Sequence, residues 1–310
     1  MPRRGGRKKR LRHARAHNAR AHPCTLATSK PSFVQISIDG GTEETFNLIR
    51  GWPLEKVRQG VRRLTARKVR VLINSVLHRR NATTEEIDAM KSFCSEAKVD
   101  VLSYAFLEPI GRAYAYYENM APTPAQFEFI AHKYPQLVAH EDGSTGTADA
   151  PQVATEEGGS IHGCAPGMTD ITINVDGQLG PCTYYRISSL FKDVRAMTAD
   201  EIVDAWRHSP AFVFARIKTT TYECKVQDRC RLFKAGLCMR CQAMSFEHFG
   251  DPYAPHPWCV MHYKELGFSD DPYMKDLNQK MAENYASGRL VSDKSEHATK
   301  PLISVSALEK

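Results

Sequence analysis

The chain has 310 residues, 42% of them hydrophobic and 25% charged, with a formal net charge of +7. That length suffices for two modest domains or one large one, each with its own core. No apolar run reaches the length of a membrane-crossing helix and the N-terminus lacks the apolar block of a secretory signal, which predicts a cytoplasmic protein with no membrane partner.

The charge is unevenly placed. Residues 1–31 carry seven Arg and three Lys and no acid, so +10 of the total sits there and the remainder sums to −3. A body of that sign does not suit a protein whose folded surface grips nucleic acid. The basic segment itself reads as a disordered arm. It suits a phosphate-neutralising arm, an organelle transit peptide, a solvated tail, or codons read in the wrong frame upstream of the true start.

Past the arm, strand and helix signals alternate. Phe33–Asp39 is a β-rich apolar run ending at Gly40–Gly41, and residues 53–68 follow as a helix with Pro53 near its start. Residues 69–77 give a second strand. Thr83 or Thr84 suits the cap of a helix running to about Lys98, with Glu85 and Glu86 in its first turn, where acids favour the macrodipole. Residues 100–107 give a third strand and 123–133 a further helix. This alternation predicts an α/β fold with parallel strands and crossover helices, part of a (β/α) barrel, over residues 32–140. Residues 141–160 have linker composition. Residues 161–262 form a small cysteine-rich domain that opens with a β-hairpin turning at Asp176–Gly177, and a polar tail over 263–310 holds one helix near 272–286.

Seven of the nine cysteines fall in that domain: Cys164, Cys182, Cys224, Cys230, Cys238, Cys241 and Cys259. Without export there is little reason to expect stable disulfides, so clustered thiols point to metal. The spacing is C-x12-G-x4-C across the hairpin, then C-x5-C-x7-C-x2-C-x17-C. Two 4Fe–4S cubanes need eight ligands, so seven thiols fill one and leave the other one short. A zinc site needs only four, for example Cys224, Cys230, Cys238 and Cys241. His248, His256 and His262 lie close enough in sequence to supply a further ligand. Cys94 reads as a buried apolar residue on its helix, and Cys24 as a residue of the arm.

The C-x12-G-x4-C pattern, the quartet and the late cysteine resemble the SPASM domain of radical SAM enzymes, and residues 237–259 resemble that domain's closing segment. The resemblance implies one or two auxiliary 4Fe–4S clusters: Cys164, Cys182 and Cys241 on one, and Cys224, Cys230, Cys238 and Cys259 on the other. The quartet departs from the family's usual C-x2-C-x5-C-x3-C. Residues 33–51 (FVQISIDGGTEETFNLIRG) and 69–81 (VRVLINSVLHRRN) resemble consecutive strands of the radical SAM core, with Asn74 and Asn81 at familiar places. By that resemblance Ser37, Asp39 and Asn74 are S-adenosyl-L-methionine neighbours. Read without it, Ser37 and Asp39 merely end a strand and Arg50 is a surface cation. Glu108, Arg112 and Tyr114 either line a cavity or are ordinary loop polars.

The C-x3-C-x2-C motif that binds the SAM-cleaving cluster is missing, as is the Gly–Gly–Glu element. Matching to the family begins near residue 32, just where the basic arm stops. A truncated or frame-shifted reading frame is therefore expected, with a split enzyme or a genuine basic-armed protein as the alternatives. The resemblance implies a radical SAM/SPASM-type oxidoreductase acting on a peptide or protein, served by a flavodoxin- or ferredoxin-like reductant, and unable to cleave SAM alone. The competing reading is a zinc-stabilised binding module whose basic arm contacts nucleic acid. The acidic body and the lack of aromatic stacking positions on a basic surface speak against it.

Overall fold

The computed structural model describes residues 13–15, 31, 33–134, 171–174, 177–184, 193–209, 212–213, 215–216, 223–238 and 241–287. It is mixed α/β and divides into two units, one holding the described residues through Leu107 and the other those from Glu108 onward. The linker expected at 141–160 lies outside the described residues. Among the described residues no helix is long and apolar enough to cross a membrane.

The first unit is a four-stranded, all-parallel sheet in the order β1 (His13–Arg15), β2 (Phe33–Ser37), β3 (Val71–Leu77), β4 (Val101–Phe106). The basic segment thus contributes three residues beside β2, along the edge that Phe33–Asp39 alone would leave open to another strand. Parallel strands need crossovers. Helices α1 (Glu43–Arg50) and α2 (Leu54–Thr65) lead from β2 to β3, and α3 (Thr84–Glu96) leads from β3 to β4. Thr42 and Thr83 cap α1 and α3 by accepting the backbone N–H of Thr45 and Glu86. Strand β3 covers one face completely (Val71, Ile73, Ser75 and Leu77), while on the opposite face Leu72 is buried and Asn74 and Val76 are half-buried. Buried Leu54, Val61 and Leu64 of α2 and Ile87, Met90 and Phe93 of α3 supply the apolar stripes of the crossover helices.

The bend after β2 is held from a distance. Glu86 Oε2 accepts the backbone N–H groups of Gly41 (2.5 Å) and Thr42 (3.2 Å), while its Oε1 accepts the Thr42 hydroxyl at 2.6 Å. One carboxylate therefore satisfies two orphan donors ahead of α1 and fixes the hydroxyl that caps that helix.

The second unit contains α4 (Pro124–Lys133), the hairpin β5 (Thr172–Ile173) and β6 (Leu179–Gly180), α5 (Ala199–His208), α6 (Gln242–Phe249), α7 (Pro257–Met261) and α8 (Pro272–Ser287). Thr123–Gln126 and Thr198–Glu201 form capping boxes at the starts of α4 and α5. Trp258 on α7 is 1% exposed, packs its ring 5.2 Å from that of Phe127 on α4, and donates its indole N–H to the Pro122 carbonyl at 2.7 Å. Its truncation would open a large cavity and orphan that carbonyl. Trp258→Ala is expected to destabilise the second unit by about 3–5 kcal/mol, read as a lowered urea midpoint at unchanged slope.

Candidate functional site

In the first unit the polar residues around the end of β2 form one hydrogen-bonded knot. Asp39 is 4% exposed and both its oxygens are engaged: Oδ1 accepts the Val76 N–H at 2.8 Å and Oδ2 accepts Arg50 Nε at 2.6 Å. Arg50 is thereby an ion-pair partner of Asp39. Asn81 donates to the carbonyls of Asp39 (3.0 Å) and Val76 (2.8 Å) and accepts the N–H of His78 at 2.7 Å. The His78 ring donates Nε2–H to the Asp39 carbonyl at 3.1 Å while Nδ1 accepts from Arg80 N–H. Burial pushes the His78 pKa down against the pull of Asp39, which keeps the ring in that neutral tautomer. Asp39 and Asn81 therefore splice β2 to β3.

Ser37 and Asn74 behave differently. They are register partners, and Asn74 is in turn opposite Ser103 of β4, so Ser37, Asn74 and Ser103 form a polar row across three strands. All three are half-buried. Period-two alternation within VLSYAF would have placed Ser103 on that face. A lone serine in an apolar run carries no motif, so the sequence alone does not single it out. Locally Glu86 is only an acid in a first helical turn, and its reach of 45 residues back to Gly41 leaves no trace in the sequence.

In the second unit the cysteines fall into two groups. Cys224, Cys230, Cys238 and Cys259 line a single cavity of ≈ 20 Å³, walled also by Phe268 and Met274. Each thiol comes from a different local element. Cys224 precedes the tight turn Lys225–Arg229, and Cys230 follows that turn and caps the helical turn Arg231–Lys234. Cys238 follows the bend at Gly236, and Cys259 rides on α7. The turn is tied down by ion pairs of Lys225 with Asp251 and Arg229 with Asp271, the latter also capping α8 through the N–H groups of Tyr273 and Met274. Cys182 and Cys241 belong to another cluster, where they pack with Tyr184 and Phe246 against Ala215 and Ala243. Cys164 lies outside the described residues, as does Cys24. Cys94 is buried on α3, where burial raises its pKa to about 12 despite the nearby Arg58.

Two of the cavity's thiols, those of Cys224 and Cys259, are held toward the neutral form unless a cation is present. Cys224 and Cys230 are buried, and burial raises the Cys224 pKa. Cys259 retains some accessible surface, yet the protein packed around its sulfur, followed by the thiols of Cys238, Cys230 and Cys224, pushes its pKa well up. A bound metal reverses that preference by pairing with thiolates. In kind, four thiols lining one cavity suit a metal–sulfur group. The room, about that of one water, means that a cluster enters only if the flanking turns move apart. Among the described residues no three His, Cys, Asp or Glu side chains are gathered as a single metal ion requires. Around one zinc, thiolate sulfurs stand about 3.8 Å apart, whereas a cubane's own iron and sulfide atoms hold its ligands farther apart.

Of the three histidines near the cysteines, His256 lines the cavity. Its Nδ1 accepts the Trp258 N–H at 3.2 Å and its Nε2 stands 3.0 Å from Glu108 Oε2, so neither nitrogen is offered to the cavity. His248 is buried, and burial together with His256 drives its pKa down to about 3. His262 Nδ1 meets Glu265 Oε1 at 3.0 Å. Tyr114 stacks edge-on against Tyr285, and burial raises its pKa.

No protein-family profile matches the chain. No curated protein matches it either. Among solved structures it is similar to Streptococcus suis SuiB bound to S-adenosylmethionine, at 17% identity and TM-score 0.47 over 76% of this chain and 55% of SuiB. SuiB bound to its precursor peptide SuiA gives the same values. anSMEcpe with bound AdoMet and the Kp18Cys peptide is similar at 15% identity and TM-score 0.49, over 86% of this chain and 75% of that one. The chain thus spans about 55% of the length of SuiB.

Proposed function

We propose that the chain is a radical SAM/SPASM-type oxidoreductase of the peptide- or protein-maturing kind, with residues 32–140 as part of the SAM-handling core and 161–262 as an auxiliary-cluster domain. The observation that carries this reading is the convergence of Cys224, Cys230, Cys238 and Cys259 on one cavity, away from Cys182 and Cys241. In this reading the four thiolates hold one 4Fe–4S cluster, while Cys182 and Cys241 join Cys164 on a second. Such clusters supply one-electron transfer or a Lewis-acidic anchor for substrate. Phe233, Leu266, Phe268 and Met274 shield the first site from water. Ser37, Asp39 and Asn74 are assigned as neighbours of SAM, Asp39 also holding the strand end. Electrons come from a flavodoxin- or ferredoxin-like donor in the cytoplasm. Lacking C-x3-C-x2-C, the chain by itself is not expected to release 5′-deoxyadenosine from SAM.

Anaerobic reconstitution of the full chain with iron and sulfide tests the reading. The expected product is brown, with a broad absorbance near ~400 nm and about eight iron atoms per chain. Colourless protein that retains one zinc and protects four thiols from alkylation would transfer the site to the zinc-module reading. Seven freely alkylated thiols with neither metal bound would remove both.

A further inference from the structure

The two faces of the first unit's sheet differ in chemistry. One buries Val71, Ile73, Ser75 and Leu77 completely. The other carries Ser37, Asn74 and Ser103 side by side in one register row, all half-buried. Strands lie about 4.8 Å apart, so the row runs about 10 Å across the sheet. None of these three side chains has a hydrogen-bond partner among the described residues. Leu72 and Val101 lie one row before them and Val76 and Ala105 one row after, so the ground on either side is apolar. Within β2, β3 and β4 no charged residue shares that face. The charges that follow β2, Asp39 and Arg50, are engaged with each other, and Asp39 also with the Val76 N–H.

Two hydroxyls and one amide, each able to donate and to accept, on an apolar ground suit a neutral ligand rich in hydroxyls and ring nitrogens. The same face offers no counter-charge to an ammonium or a carboxylate, whose desolvation would go uncompensated there. We propose that Ser103 is a ligand-reading residue and that the row Ser37–Asn74–Ser103 takes a neutral nucleoside, the adenosine half of SAM rather than its methionine half; this rests on the assignment of Ser37 and Asn74 to SAM. Asn74 stands at the centre of the row, with Ser37 and Ser103 one strand away on either side.

The test is equilibrium dialysis of the full chain with radiolabelled SAM, with unlabelled adenosine and L-methionine as competitors. Adenosine is expected to displace SAM at concentrations within about tenfold of those at which unlabelled SAM does so, and methionine to displace none. Ser103→Ala should weaken SAM and adenosine alike by about three- to tenfold, the worth of one hydrogen bond. Ser103→Thr keeps the hydroxyl and should stay near the parent value. A dideoxyadenosine lacking both ribose hydroxyls separates recognition from folding. The parent should hold it more weakly than adenosine, and Ser103→Ala should narrow that gap, which a merely structural serine would leave as it is. Methionine displacing SAM where adenosine does not, or an unchanged adenosine affinity in Ser103→Ala, overturns this inference and leaves the SAM assignment standing. Binding of neither SAM nor adenosine overturns that assignment, and the inference with it.

Discussion

Cys259→Ser in the full, reconstituted chain is expected to lose about four iron atoms, roughly half the total, together with their share of the absorbance near ~400 nm. The expectation comes from where the sulfur sits. Cys259 shares its cavity with Cys224, Cys230 and Cys238, and each of those thiols acts electrostatically on it. Because burial and three neighbouring thiols disfavour a lone thiolate there, the site has affinity only as an ensemble. Removal of one donor should therefore release the whole group rather than weaken it by a quarter. Cys224→Ser and Cys230→Ser should match Cys259→Ser, and combining any two should cost no further iron. Cys182→Ser and Cys241→Ser should each remove the other half, since those residues pack together elsewhere. Cys94→Ser, on a helix of the first unit, should leave iron unchanged. Iron counts per chain, with mass spectrometry of alkylated thiols, separate these outcomes. Equal iron loss from Cys182→Ser and Cys259→Ser when combined as when single would refute the two-group division.

Gly41→Ala is expected to cost more than about 4 kcal/mol and to leave the first unit without protected strand amides. A β-carbon at Gly41 would lie 2.1 Å from the Glu86 carbonyl oxygen, a backbone atom that cannot swing away. Relieving the clash means pulling α3 off the bend. That breaks the bonds from Glu86 to Gly41 N–H and to Thr42, and with them the cap of α1. Gly51 provides the comparison. It is left-handed at φ 63°, but an added β-carbon there meets nothing within 4 Å. Gly51→Ala should cost only about 1–2 kcal/mol, the conformational penalty alone. Hydrogen exchange of β2 and β3 reads both variants, and equal protection in the two would refute the steric argument.

Local chemistry was legible from the amino-acid order wherever it repeats over a few residues. The strands at 71–77 and 101–106, the Thr83 cap and the helices at 124–133 and 272–287 lie close to where periodicity and capping residues put them. Cys94 is buried, as an apolar helix face demands. The cysteine count and the departure from disulfide logic were likewise plain. Asp39 by its place in the sequence merely ends a strand, and the partners that occupy its carboxylate, Val76 and Arg50, are supplied by other segments.

Short-range order thus determined the element types, the crossovers and the thiol inventory, because propensity, capping and side-chain alternation act within about one helical turn or strand. Only the tertiary structure decided which thiols share a cavity and that Ser103 joins Ser37 and Asn74. Those facts depend on strand register and on packing between residues as far apart in sequence as Cys224 and Cys259, and such separations leave no periodic signal in a single chain.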